Sequence, residues 1–173
     1  MSRTKLLLVV CSLAIALGAS SGEPPPLNDP FLDALSGRWT LRGTVMGKPV
    51  VNEIEARWVL GHRFLELHLT DTASPPQYEA LIFLGREAKT GRYIAHWLDV
   101  AGAGPSKVLG SGTRSGDTLV LSFPYPGATF RDTFTLDRKT GTWTLLIESH
   151  PDGKPWSTFA SYTATRCGAA TGS

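Results

Sequence analysis

The amino-acid pattern points to an all-β protein: a closed, up-and-down antiparallel β-barrel of about ten strands with a short N-terminal helical turn. Three features of the chain carry that reading. From Trp39 onward, apolar residues recur at every second position in short segments. Turn-forming residues such as Gly116-Asp117 and Asp152-Gly153 separate those segments, with no helical crossover between them. Finally, the first segment enters through Gly37-Arg38-Trp39 and the last leaves through Tyr162-Thr163-Ala164-Thr165-Arg166. An indole and a guanidinium thus mark the two ends of the sheet, and such a pair gains cation–π energy while its charge stays near water.

Residues 1–21 read as a secretory signal peptide. Arg3 and Lys5 start it, Leu6 to Leu17 is apolar apart from Cys11 and Ser12, and Gly18 to Ser21 are small. The run is short for a bilayer span, the alternative being an uncleaved membrane anchor. A lipoprotein would need a cysteine at the cleavage point, and Cys11 lies inside the apolar run. The expected location is therefore periplasmic or secreted, with no membrane attachment after cleavage. Loss of Arg3 and Lys5 leaves 15 basic residues against 15 acidic ones and no basic patch, which argues against a nucleic-acid partner. Cys167 is then the one cysteine left, so the fold must hold without an internal disulfide. Residues 22–30, with Pro24, Pro25, Pro26 and Pro30, read as an extended linker. Residues 31–166 form the barrel domain, and the small polar residues 167–173 a disordered tail.

Phe31 to Leu35 reads as a helical turn, with Phe31, Leu32 and Leu35 on one face, placed to plug the bottom of a barrel. Trp39, Leu41, Gly43 and Val45 then alternate with polar residues, and Met46 to Pro49 turns the chain. Ile54, Ala56 and Trp58 form the next alternation, Leu60-Gly61-His62 turns again, and Leu65, Leu67 and Leu69 follow. Each pattern is a strand with one buried face. A Pro-containing loop over Asp71 to Gln77 leads to Tyr78–Leu84. After the turn at Gly85 to Gly91, Tyr93, Ala95, Trp97 and Asp99 share one strand face. Ile94 and Leu98 then face outward, where a loop or a second subunit would cover them, so an oligomer stays open. Ala101 to Ser106 is a Gly- and Pro-rich loop. The later strands are Lys107 to Thr113, Thr118 to Phe123, Thr129 to Leu136, Thr142 to Glu148 and Trp156 to Arg166.

Four stretches carry a family resemblance: Leu35-Ser36-Gly37-Arg38-Trp39, Trp58 through Leu65, Gly91-Arg92-Tyr93 with Trp97 and Asp99, and Tyr162 to Arg166. Together they resemble an uncharacterised bacterial family of lipocalin-like domains. These are calycin barrels, akin to nitrobindin-like and fatty-acid-binding proteins. The resemblance implies that Trp39 lies across one barrel end with Arg166 on its face. It also implies a cup for a small ligand, with no agreed activity. Nitrobindin-like barrels hold haem through a histidine on a late strand; Trp156 to Arg166 contains none, so no haem and no other cofactor is expected.

The remaining chemistry is sparse. The four histidines, His62, His68, His96 and His150, show no metal-ligand spacing, and His150 before Pro151 reads as a solvated turn residue. Glu66 and His68 share a face opposite Leu65, Leu67 and Leu69, which places them outward. Ser111 lacks the strand–turn–helix of a nucleophile elbow, and Gly110 to Gly116 precedes a strand rather than the helix a phosphate loop needs. The candidate ligand-binding residues are therefore inward-facing aromatics and carboxylates: Trp58, Tyr93, Trp97, Asp99, Phe130, Asp132, Phe134 and Trp143, with Trp156 a further candidate wall residue. Ten strands make a barrel wider than the eight whose side chains fill the interior. The expected function is an exported module binding a small hydrophobic or amphipathic molecule. The alternative is an enzyme using Asp99 or Asp132 as acid or base, and a filled, purely structural barrel is the third possibility.

Overall fold

In the computed structural model, residues 25–102 and 106–168 are described. The expected signal peptide lies outside them. One helix, α1 (Pro30–Leu35), precedes ten strands: β1 (Gly37–Val45), β2 (Lys48–Val59), β3 (Phe64–Asp71), β4 (Glu79–Arg86), β5 (Tyr93–Asp99), β6 (Leu109–Ser115), β7 (Thr118–Tyr125), β8 (Ala128–Asp137), β9 (Thr142–Pro151) and β10 (Ser157–Arg166). Each strand pairs antiparallel with the next, and β1 pairs with β10, so the sheet closes and has no free edge.

Closure runs from Trp39 opposite Arg166 to Val45 opposite Ala160. Gly43 is required at this seam because a Cβ there would lie 1.8 Å from the Ser161 carbonyl oxygen. Gly37 is required at its start: its φ is +113°, and a Cβ would meet the Arg166 guanidinium at 2.6 Å. Trp39 is 1 % exposed. The Arg166 guanidinium sits 4.3 Å from the centroid of its indole, whose Nε1 donates to the Leu35 carbonyl at 2.8 Å. The expected stacking of this pair is what the barrel shows.

The two ends of the barrel differ. At one, α1 contributes Phe31, Leu32 and Leu35 to the buried core cluster that also holds Trp39, Leu65, Leu84, Leu119, Leu136 and Trp143. Asp29 fixes the plug. Its carboxylate accepts the Phe31 and Leu32 amides at the helix start and the Tyr93 hydroxyl from β5, which also accepts from Arg114 Nε at 3.1 Å. Nearby, Leu27 donates its amide to the His62 carbonyl at 2.8 Å, so the end of the expected linker packs on the barrel. Cys167, the first residue of the expected tail, bonds its amide to the Arg38 carbonyl at 3.0 Å. At the other end no helix of the described residues inserts, and the interior stays open.

Several strand limits differ from the sequence expectation. β2 begins at Lys48, because Met46 and Gly47 alone complete the hairpin with positive φ. β9 continues to Pro151, so His150 is a strand residue opposite Thr129 rather than a solvated turn. Trp156 precedes β10 and lies outside, 39 % exposed, between the His150 ring and the Arg131 guanidinium. Glu66 and His68 face outward as expected, paired with Arg57 and Glu79. Outside β5, His96 Nε2 meets the Ser106 carbonyl at 2.8 Å, which places Ser106 over that face.

A candidate ligand cavity at the open end

The upper half of the barrel holds a cavity of about 1260 Å³. Strand alternation builds its walls. Leu69, Trp97, Phe123, Tyr125, Phe130, Ile147, Ala160 and Tyr162 come from inward positions of six different strands, with Phe159 at the β10 bulge. Tyr125 stacks on Phe123 at 6.1 Å and meets Phe130 edge-on at 5.8 Å; Phe130 meets Phe159 edge-on at 5.4 Å. These rings form one continuous wall, and edge-to-face contacts hold each ring in place.

Four charged residues line this cavity: Asp71, Asp99, Asp132 and Lys107. Two of the aspartates are engaged in shaping the mouth. Asp71 accepts the backbone amides of Ala73, Gln77 and Tyr78 at 2.9 to 3.1 Å, which folds the β3–β4 loop. Asp99 accepts the amides of Ala101 and Gly102 at 3.1 and 3.0 Å and the Tyr78 hydroxyl at 3.2 Å. Burial raises the Tyr78 phenol pKa, and the Asp99 charge raises it further.

Asp132 is different. It is 3 % exposed, and no hydrogen bond or ion pair reaches its carboxyl among the described residues. Its strand partners are Leu121 and Ile147, so the surroundings are apolar. Burial alone pushes its pKa up to about 7. Around it, Tyr162 is pushed up to about 12 by burial, and Tyr125 is raised by burial and then by the charges of Asp132 and Asp99. Asn52 also lines the cavity, with its side-chain carbonyl buried and unpartnered among the described residues.

Of the residues expected to bind a ligand, Trp97, Asp99, Phe130 and Asp132 line this cavity. Trp58, Tyr93, Phe134 and Trp143 do not; they belong to the plugged end. Trp58 donates Nε1 to Asp33 of α1 at 2.9 Å and stacks on His62 at 4.1 Å. Tyr93 holds Asp29. Trp143 packs against Trp39 and Phe134 at 5.8 and 5.9 Å. All four lie on the expected inward faces, but at the opposite end of the barrel axis from the cavity. Trp156, expected as a wall residue, is outside.

Sequence reasoning missed Asn52, Tyr78, Tyr125 and Tyr162 as lining residues. Two of these carried a signal. Ala160, Tyr162 and Ala164 alternate small and large inward residues, and Asn52 continues the Ile54, Ala56, Trp58 face one step upstream. Among the described residues, no histidine lines the cavity and no group of three or more His, Cys, Asp or Glu is placed to hold a metal ion.

No protein-family model matches the chain, and no curated protein does. Among solved structures, it is similar to the crystal structure of Rv2717c from M. tuberculosis, with a TM-score of 0.53 and 16 % sequence identity over 80 % of this chain and 98 % of that one. At that identity the likeness speaks to the fold. The chain therefore has the fold of a closed ten-stranded antiparallel barrel, plugged at one end and open at the other.

Proposed function

We propose that this protein is an exported binding module that holds a small, mostly apolar molecule in the open half of its barrel. The observation that carries the reading is the cavity itself: about 1260 Å³ walled by aromatic and aliphatic side chains, with a few polar groups inside. That composition suits ligands of drug or lipid size, and the volume lies somewhat above the roughly 300–1,000 Å³ typical of such pockets, leaving room for a long apolar body. The division of the barrel supports it. Packing at the plugged end supplies a stable core, so the open end is free to stay unfilled.

Catalysis by a cavity carboxylate is less well supported. A catalytic carboxyl is commonly oriented by a neighbouring polar group in the same pocket. Asp132 has none among the described residues, and the oxygens of Asp99 hold loop amides and the Tyr78 hydroxyl. The test is native mass spectrometry of protein purified from its own host. A discrete small-molecule adduct, removed by organic extraction, is the expected result. Protein that carries no adduct and takes up no apolar probe in calorimetry would overturn the reading.

A further inference from the structure

We infer that the cavity selects a protonated amine on an apolar body, with the ammonium group seated on the Asp132 carboxylate. The inference rests on the binding-module reading above and names the chemistry of its ligand.

Three features converge on it. First, Asp132 is a buried carboxyl aimed into a ligand-sized space without a protein partner among the described residues. A buried charge without a partner is costly, and a neutral buried acid still wants a hydrogen bond. The apolar strand neighbours Leu121 and Ile147 offer neither, so the partner must come from the cavity. Second, the charge of the lining is one-sided. Asp71, Asp99 and Asp132 are opposed by Lys107 alone, and no arginine or histidine is among the lining residues described. A carboxylate or phosphate ligand would enter a field of its own sign with no guanidinium to receive it, whereas a cation is favoured throughout. Third, the wall beside Asp132 is aromatic. Tyr125 feels the Asp132 charge directly, and Phe130, Trp97 and Tyr162 share the same space. Ring faces attract a desolvated ammonium, and they do so without competing for its protons.

The protonation chemistry is consistent with this. An ammonium on Asp132 favours the ionised carboxyl, so a complex formed below neutral pH expels the carboxyl proton. The other titratable groups facing the cavity are Asp71, Asp99, Lys107, Tyr78, Tyr125 and Tyr162. Asp71 and Asp99 are committed to loop amides, and burial drives the phenols upward, away from neutrality. Burial, by contrast, brings Asp132 to about 7.

The test uses three probes of equal chain length, dodecylamine, 1-dodecanol and dodecanoate, titrated into the protein by calorimetry at pH 8. The amine should bind at least tenfold more tightly than the alcohol, with dodecanoate weakest. Asp132→Asn should abolish the amine advantage and leave alcohol affinity within about twofold. In the unaltered protein, amine affinity should fall up to tenfold per pH unit below pH 7, the slope of one linked proton, and this needs no variant to fold. Alcohol or dodecanoate binding as tight as the amine, or a pH-independent amine affinity, would overturn the inference while leaving the binding module standing. Failure of all three probes to bind would remove both.

Discussion

Replacing Asp132 by asparagine should stabilise the protein, and by an amount that depends on pH. In the native barrel this carboxyl holds its proton up to about pH 7, whereas the unfolded chain releases it near 3.8. Between those values the native state binds the extra proton, so stability falls as pH rises through the window. At 1.36 kcal/mol per pKa unit, the full cost of the ionised carboxyl above pH 7 is about 4 kcal/mol. An asparagine side chain is neutral at every pH and of similar shape, so the variant escapes that cost. Urea denaturation of both proteins at pH 4.5 and pH 8 measures the difference. The stability gap should widen by about 3 kcal/mol between the two, since part of the cost is already present at pH 4.5. That corresponds to a midpoint shift of roughly 1–3 M urea for a domain of this size. Other carboxylates cancel in the comparison because they are common to both chains. A gap that stays constant with pH would show that Asp132 titrates as an ordinary aspartate, and the buried, partnerless carboxyl would be refuted. A widening gap would mean that the barrel carries an acid at a cost to its own stability, which is expected of a ligand-contacting group.

Three further outcomes are expected. Trp39→Ala should cost about 3–5 kcal/mol in urea denaturation, because a buried indole and its bond to Leu35 are lost; a loss under about 0.5 kcal/mol, typical of a surface site, would refute the closure role. Asp29→Ala should cost about 2–3 kcal/mol by removing the helix cap and the acceptor of the Tyr93 hydroxyl, to which Arg114 is joined, while ligand affinity at the open end is unchanged. A parallel loss of affinity would contradict the separation of the two ends. Hemin titration should produce no stoichiometric complex with a sharp Soret band; one that disappears with His96→Ala or His150→Ala would reverse that expectation.

Much of the barrel was legible because its signals are local. Alternation of period two tells which side of a strand is inward. It did so for Leu41, Ile54, Leu67, Ala95, Phe134 and Trp143, all buried. The seam was legible too, because Trp39 and Arg166 are adjacent in the register of a barrel that joins its first strand to its last in this way. The strand limits at Lys48 and Pro151 were not. The first is set by a two-residue turn at Met46 and Gly47 with positive φ, and the second by pairing that extends β9 along β8 as far as Ala128 opposite Pro151.

Turns and alternation between near neighbours in the chain are enough to specify an all-β barrel, its strand order, most of its inward residues and the helical plug. They do not specify how high each inward residue sits along the barrel axis. Tyr93 and Trp97 share one face of β5, yet Tyr93 latches the plug and Trp97 lines the cavity. Phe134 and Asp132 are likewise two residues apart on β8, one in the core and one at the ligand site. That height is set by strand tilt and register stagger around the closed sheet, together with the end that α1 occupies. These are properties of ten strands acting together, and no single segment of sequence contains them.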